Sequence, residues 1–166
     1  MPNVTDAEIQ KVFQEWVDVE DWANPFAVTL TFKRKIKSYI GSKEVDVYLD
    51  EDIASQNVRH FSNILNYKIF GNAAKRFGQK TYVVPIVEKT ATKKLHYHLA
   101  IDCPRDELVD EFPDMIREAW LSTQWGDVQM DVKSQINPGW IGYITKFRDK
   151  YSVADAIDWN NLHNKN

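Results

Sequence analysis

Residues 95 to 101, Leu-His-Tyr-His-Leu-Ala-Ile, alternate apolar and polar side chains over most of their length. Successive side chains of a strand point to opposite faces, so this run predicts a strand with Leu95, Tyr97, Leu99 and Ile101 toward a core. His96 and His98 then share the other face. A second run, Phe26 to Phe32, sets Phe26, Val28, Leu30 and Phe32 against Ala27, Thr29 and Thr31 in the same way. A third, Thr81 to Glu88, is rich in β-branched residues and carries Pro85, which has no amide to donate and therefore points to a sheet edge. The connection at 90–94 is short, so the third run and the histidine run should form an antiparallel hairpin. With Glu88 opposite His96, cross-strand neighbours share a face and a carboxylate joins two imidazoles; a slip of one residue would reverse that.

Helices fill the spaces between these runs. Thr5 and Glu8 form a capping box, and Ile9, Val12, Phe13, Trp16 and Val17 follow at helical spacing, predicting a helix over 6–22 that ends before Asn24-Pro25. Lys33 to Lys37 make a basic exit from the first strand, Gly41-Ser42 a turn, and 45–49 a returning hairpin arm. Val58, Phe61, Leu65 and Ile69 predict a long helix over 53–77, interrupted at Gly71 and stopped by Gly78. Leu108, Phe112, Ile116 and Trp120 predict another through residue 122, split or kinked by Pro113.

An alternating strand follows at 127–133, and Asn137-Pro138-Gly139 opens a last helix. On it Trp140, Ile144, Phe147 and Tyr151 make the packing stripe, while Tyr143, Lys146 and Lys150 form a separate row. The expected fold is α+β: a two-layer sandwich with a central antiparallel sheet of about five strands, helices on one face and the histidines on the other. Residues 1–151 form the expected domain, and 152–166 a partly mobile tail or the start of a linker.

Forty-three per cent hydrophobic residues in 166 suit one full-sized core. A single cysteine cannot form an internal disulfide and no long apolar run is present, so the expectation is a soluble protein of the cytoplasm, or of the nucleus if the source is a eukaryotic element, without a membrane partner. The net charge of −3 argues against a general nucleic-acid coat. Basic clusters at 33–37, 75–80, 89–94 and 146–150 nevertheless allow a local basic groove.

An H-x-H pair is also what an ordinary solvated strand face carries, and the chemistry of its neighbours decides its meaning. His96, His98 and Glu88 form a mixed nitrogen and oxygen donor set suited to Mn²⁺ or Mg²⁺, with positions left for a phosphate. A tyrosine, with its pKa near 10, is a poor nucleophile in water. It becomes useful against a phosphodiester when a metal neutralises the non-bridging oxygens and a lysine steadies the developing charge. Tyr143 and Lys146, one helical turn apart, supply that pair. Tyrosine attack leaves a phosphotyrosine bond that stores the energy of the cut, so the strand can be rejoined without ATP.

Three motifs in order resemble those of the HUH endonuclease superfamily, specifically the single-tyrosine rolling-circle replication initiators (Rep proteins). Val28-Thr29-Leu30-Thr31-Phe32 resembles their first motif, His96-Tyr97-His98 the histidine, hydrophobe, histidine motif, and Tyr143-Ile144-Thr145-Lys146 the Y-x-x-K motif. Glu88 stands where members of the viral branch carry an acidic third ligand. The resemblance spans roughly residues 25 to 150. It implies a five-stranded antiparallel sheet of ferredoxin-like or RRM-like type and site-specific nicking of single-stranded DNA at an origin or hairpin. It also implies a 5′-phosphotyrosine intermediate with a free 3′-OH, rejoining by the reverse reaction, and the start of rolling-circle replication. Thr29 and Thr31 would then handle DNA, with Lys33, Arg34, Lys35, Lys93, Lys94 and Lys150 as candidate phosphate contacts.

Tyr97 is bulkier than the usual aliphatic residue of the histidine motif, and Tyr151 falls on the packing stripe, which argues against a two-tyrosine relay. No Gly-rich phosphate loop follows, so a helicase would be a separate partner or belong to a longer protein. A single-tyrosine transposase would use the same residues with different DNA choreography, and a non-cutting DNA-binding module would use the same fold. A histidine-triad hydrolase needs a third histidine where Ala100 stands. A cupin needs a Gly-rich barrel. Trp140 is expected in the core, and His60 and His163 in structural roles.

Overall fold

The computed structural model of the chain describes residues 3–90, 92, 94–134, 136, 139–145 and 152–165. The alternating runs become strands: β1 (Pro25–Phe32), β4 (Val83–Lys89), β5 (Leu95–Asp102) and β6 (Gly126–Ser134) form one antiparallel sheet in the order β4-β5-β1-β6. Pro85 lies on β4, an outer strand of this sheet. The expected fifth strand is not in it. Among the described residues β2 (Lys35–Ile40) and β3 (Lys43–Tyr48) pair only with each other, turning at Gly41 with φ of +63°. Lys35 and Lys37 both reach Asp46 across that hairpin, at 3.4 and 2.7 Å.

Helix α1 (Asp6–Trp16) begins with the Thr5/Glu8 capping box but stops six residues short of its expected end. Val17 turns extended, and the Asp18 carboxylate accepts from the Glu20 amide at 3.1 Å to open a separate turn. Such short acidic side chains favour caps over helix interiors. Helix α2 (Glu51–Phe70) is capped by Asp50, breaks at Gly71 with φ of +60°, and continues as α3 (Asn72–Phe77) until the left-handed Gly78. Pro113 does not kink a helix. It sits in the first turn of α4 (Phe112–Leu121), where a missing amide costs nothing. The short α5 (Gly139–Ile144) and α6 (Val153–Ala156) complete the element order.

This is an α+β sandwich. Against one face of the sheet, Phe26, Leu30, Tyr97 and Leu99 pack with Val58, Phe61 and Leu65 of α2 and with Ile116 and Trp120 of α4. The histidine face, expected to be open, is covered over part of its area. Val84, Ile86 and Ala100 lie on it, and Phe13, Val17, Ile141, Ile144, Val153 and Ile157 bury them in a second, smaller core. Each large apolar side chain left wet would forfeit about 1.5–3 kcal/mol, which is reason enough for the extra layer.

The segment expected to be a tail or linker supplies much of that layer. Residues 152–165 run beside β4: His163 exchanges backbone hydrogen bonds with Val83 at 2.8 and 2.9 Å, and Asp158 donates its amide to the Pro85 carbonyl at 3.0 Å. Asp158 then turns its carboxylate under the sheet, where Oδ2 accepts from the Tyr97 hydroxyl at 2.8 Å, Ser55 Oγ at 2.9 Å and Asn161 Nδ2 at 2.6 Å. This C-terminal strap therefore ties both faces to the β4 edge. Among the described residues no helix is long and apolar enough to cross a membrane.

Candidate active site

The hairpin register is the one the short connection predicts: Glu88 stands opposite His96, and Ile86 opposite His98. On the other side of β5, β1 places Thr31 opposite His96 and Thr29 opposite His98. Five side chains from three strands thus share one end of the face: Glu88, His96, His98, Thr29 and Thr31. The Glu88 carboxylate closes on His98, Oε2 against Nε2, and not on its direct partner His96. Behind that ring Thr29 Oγ1 stands 3.2 Å from Nδ1. A hydroxyl can donate to a bare nitrogen or accept from a protonated one, so it answers either tautomer. What it fixes is the orientation of the ring, with Nε2 outward.

Thr29 is accordingly committed to His98, and Thr31 donates its hydroxyl to the Gln129 carbonyl. His96 titrates below its ordinary value, chiefly because burial disfavours its charged form. Glu88 pulls the other way, while His98 and Lys94 add to the depression. A neutral imidazole is the form that binds metals. Among the described residues no three His, Cys, Asp or Glu side chains converge as a ready-made metal cage. The donor chemistry of His96, His98 and Glu88 nonetheless fits a small divalent cation, two imidazole nitrogens and one carboxylate oxygen on one rigid face.

Tyr143 comes from α5, and 54% of it is exposed. Its ring stacks on Trp140 with centroids 5.4 Å apart, and Trp140 in turn meets the His98 ring edge-on at 6.3 Å. Trp140 is only half-buried and donates its indole N–H to the Leu99 carbonyl at 3.4 Å. It is therefore the wedge between histidine and tyrosine as well as a member of the second core. Helix α5 is itself held by α1: Gln10 Nε2 donates to the Gly142 carbonyl and to Thr145 Oγ1, each at 3.1 Å. A Cβ at Gly142 would lie 3.1 Å from Gln14 Nε2, so the two helices approach closely. Nothing local in the sequence marks Gln10 for this task, because it acts across 132 positions.

Of the candidate phosphate contacts, Lys33, Arg34 and Lys94 line a cleft of about 450 Å³ with Thr31, His96 and Tyr48. Lys35 is drawn away into its ion pair with Asp46. Lys93, Lys146 and Lys150 lie outside the described residues, as do Phe147 and Tyr151. His163 has the structural role expected, its Nδ1 donating to the Thr81 carbonyl at 2.9 Å. No protein-family model, curated protein or solved structure matches this chain.

Proposed function

We infer that this chain is a metal-dependent endonuclease that nicks single-stranded DNA at a specific site and rejoins it through a 5′-phosphotyrosine, the reaction that initiates rolling-circle replication. The reading is carried by one juxtaposition: His98, in contact with Glu88, abuts Trp140 at 6.3 Å, and Trp140 stacks on the exposed Tyr143 at 5.4 Å. Mn²⁺ or Mg²⁺, held through His96, His98 and Glu88, would neutralise the non-bridging oxygens of the scissile phosphate. Thr29 orients His98, and the depressed proton affinity of His96 keeps its ring available at neutral pH.

The phenolic oxygen of Tyr143 attacks phosphorus and the P–O3′ bond breaks. The phenol gives up its proton and O3′ takes one up as the free 3′-OH. The phosphate remains on Tyr143 until a 3′-OH attacks it and the strand is resealed. Lys146, three residues further along the sequence, would balance charge on the phosphoryl oxygens. Lys33, Arg34 and Lys94 in the cleft beside His96 supply positive charge for the flanking backbone.

The test mixes the protein with a pool of single-stranded oligonucleotides and Mn²⁺ and looks for a denaturant-resistant adduct on a gel. Wild type should give one; Tyr143→Phe, or wild type with chelator, should not. An adduct that persists in Tyr143→Phe, or forms equally well with chelator, refutes the mechanism. Binding without any adduct points to a non-cutting DNA-binding module.

A further inference from the structure

Helix α2 carries two stripes. Val58, Phe61, Leu65 and Ile69 face the core, whereas Arg59, Ser62, Asn63 and Asn66 fall at i, i+3, i+4 and i+7 on another side. That polar stripe forms one wall of a cleft of about 360 Å³, and the facing wall is the lead into β4 at Lys80 and the strap from Asn160 to His163. The volume lies in the usual range for small-ligand sites.

Among the described residues the lining contains no carboxylate, in a chain whose net charge is −3. Arg59 and Lys80 both face the cleft, and neither has an ion-pair partner among the described residues. Asn66 spends its Oδ1 on the Thr81 amide at 2.8 Å, which leaves its NH₂ to donate. At the same wall Ser62 Oγ is buried with no partner among the described residues. The strap wall is rigid, because His163 is bonded to Val83 through its backbone and to Thr81 through its ring. Donors of several kinds between fixed walls, with no acid to answer them, select an anion rich in acceptor oxygens. The guanidinium fork of Arg59 together with a point charge at Lys80 suits a phosphate in particular.

We propose that this cleft is a phosphate-binding site, separate from the histidine site, whose ligand is the phosphate of a free nucleotide or of a nucleic-acid strand. Val83 at this end of β4 and Glu88 at the other are five residues apart, about 17 Å along the strand. The two sites share no residue, so failure of the nicking reaction would leave this proposal standing, and the reverse.

The experiment titrates the ¹⁵N-labelled full chain with inorganic phosphate, a 5′-deoxynucleoside monophosphate and a short oligothymidylate in turn. The expected result is saturable shifts of the Asn63 and Asn66 side-chain amides and of His163 with at least one probe. In Arg59→Gln/Lys80→Gln, both exposed positions, binding should weaken by at least about tenfold. Asn63→Asp, which adds the missing carboxylate, should weaken it as well. Saturation by inorganic phosphate or the mononucleotide assigns a free ligand as the source, and saturation by the oligonucleotide alone assigns the strand. No saturable shift at millimolar concentrations of any probe, or binding unchanged in the double-glutamine variant, overturns the proposal.

Discussion

Replacing Tyr97 by Phe removes one hydroxyl group and leaves the packing ring. The ring is 1% exposed, lies 5.6 Å from Phe32, and sends its O–H to Asp158 Oδ2 at 2.8 Å. Burial pushes the Tyr97 hydroxyl well above its ordinary pKa, and the charge of Asp158 adds to the shift, so it is a firm donor at any working pH. A hydrogen bond to a charged acceptor contributes about 1.5–3 kcal/mol. Ser55 and Asn161 still donate to the same oxygen after the change, which selects the lower part of that range, about 1.5–2 kcal/mol. For a chain of this size that corresponds to a melting temperature lower by roughly 3 to 8 °C.

Asp158→Ala takes the acceptor from three donors, of which Asn161 Nδ2 keeps its bonds to Ser55, and should cost more than Tyr97→Phe, about 3–5 kcal/mol. Urea unfolding of wild type, both single variants and the double variant completes a cycle, in which the coupling should reach about 1 kcal/mol or more. A Tyr97→Phe loss below about 0.5 kcal/mol, or additivity in the cycle, would refute the claim that the strap is locked to the histidine strand through this oxygen.

Thr29→Val should lower Mn²⁺ affinity by about 10–100-fold in calorimetric titration while costing only about 1 kcal/mol of stability, because it frees the His98 ring; unchanged affinity would show that Thr29 does not orient the ring. Gly126→Ala should destabilise by about 2–4 kcal/mol, since an added Cβ would lie 2.2 Å from the Trp120 carbonyl oxygen, and near-wild-type urea stability would contradict that. Asp102 is buried, and burial raises its carboxyl pKa despite the Asn24 amide at 2.7 Å. The folded state therefore holds the proton more tightly than the unfolded state, and the stability this confers is lost as pH rises through the folded value. Asp102→Asn should be flatter as pH rises above the ordinary carboxylate value of 3.8, gaining on wild type there; parallel curves would rule this out.

The strands were legible because alternation needs no partner to be recognised, and the short connection at 90–94 was enough to set Glu88 opposite His96. Which imidazole the carboxylate touches was not, because the choice between a direct and a diagonal neighbour rests on rotamers. The separateness of the β2–β3 hairpin has a sequence correlate in its charges. Lys35 and Lys37 face Asp46 as a cross-strand charge set, and such pairs stabilise a two-stranded unit on its own. Trp140 satisfied a core stripe by spacing alone, and only the meeting of α5 with β5 shows it wedged between His98 and Tyr143. The strap is not legible in the sequence because residues 152–165 are largely polar. They hold on through backbone bonds to an edge strand and one buried carboxylate, signals that span most of the chain.

That strap bears on how the chain becomes a folded protein. The bond from His163 to the Thr81 carbonyl joins residues 82 positions apart, and the one from Tyr97 to Asp158 joins residues 61 apart. Contacts of such long range are slow to form. A nascent chain can pair β4 with β5 early, but the outer side of β4 stays unpaired until residue 163 has left the ribosome, and an unpaired strand edge recruits other chains. Translation that stops short of Ile157 would therefore yield a molecule whose histidine hairpin is formed and whose first fate is self-association.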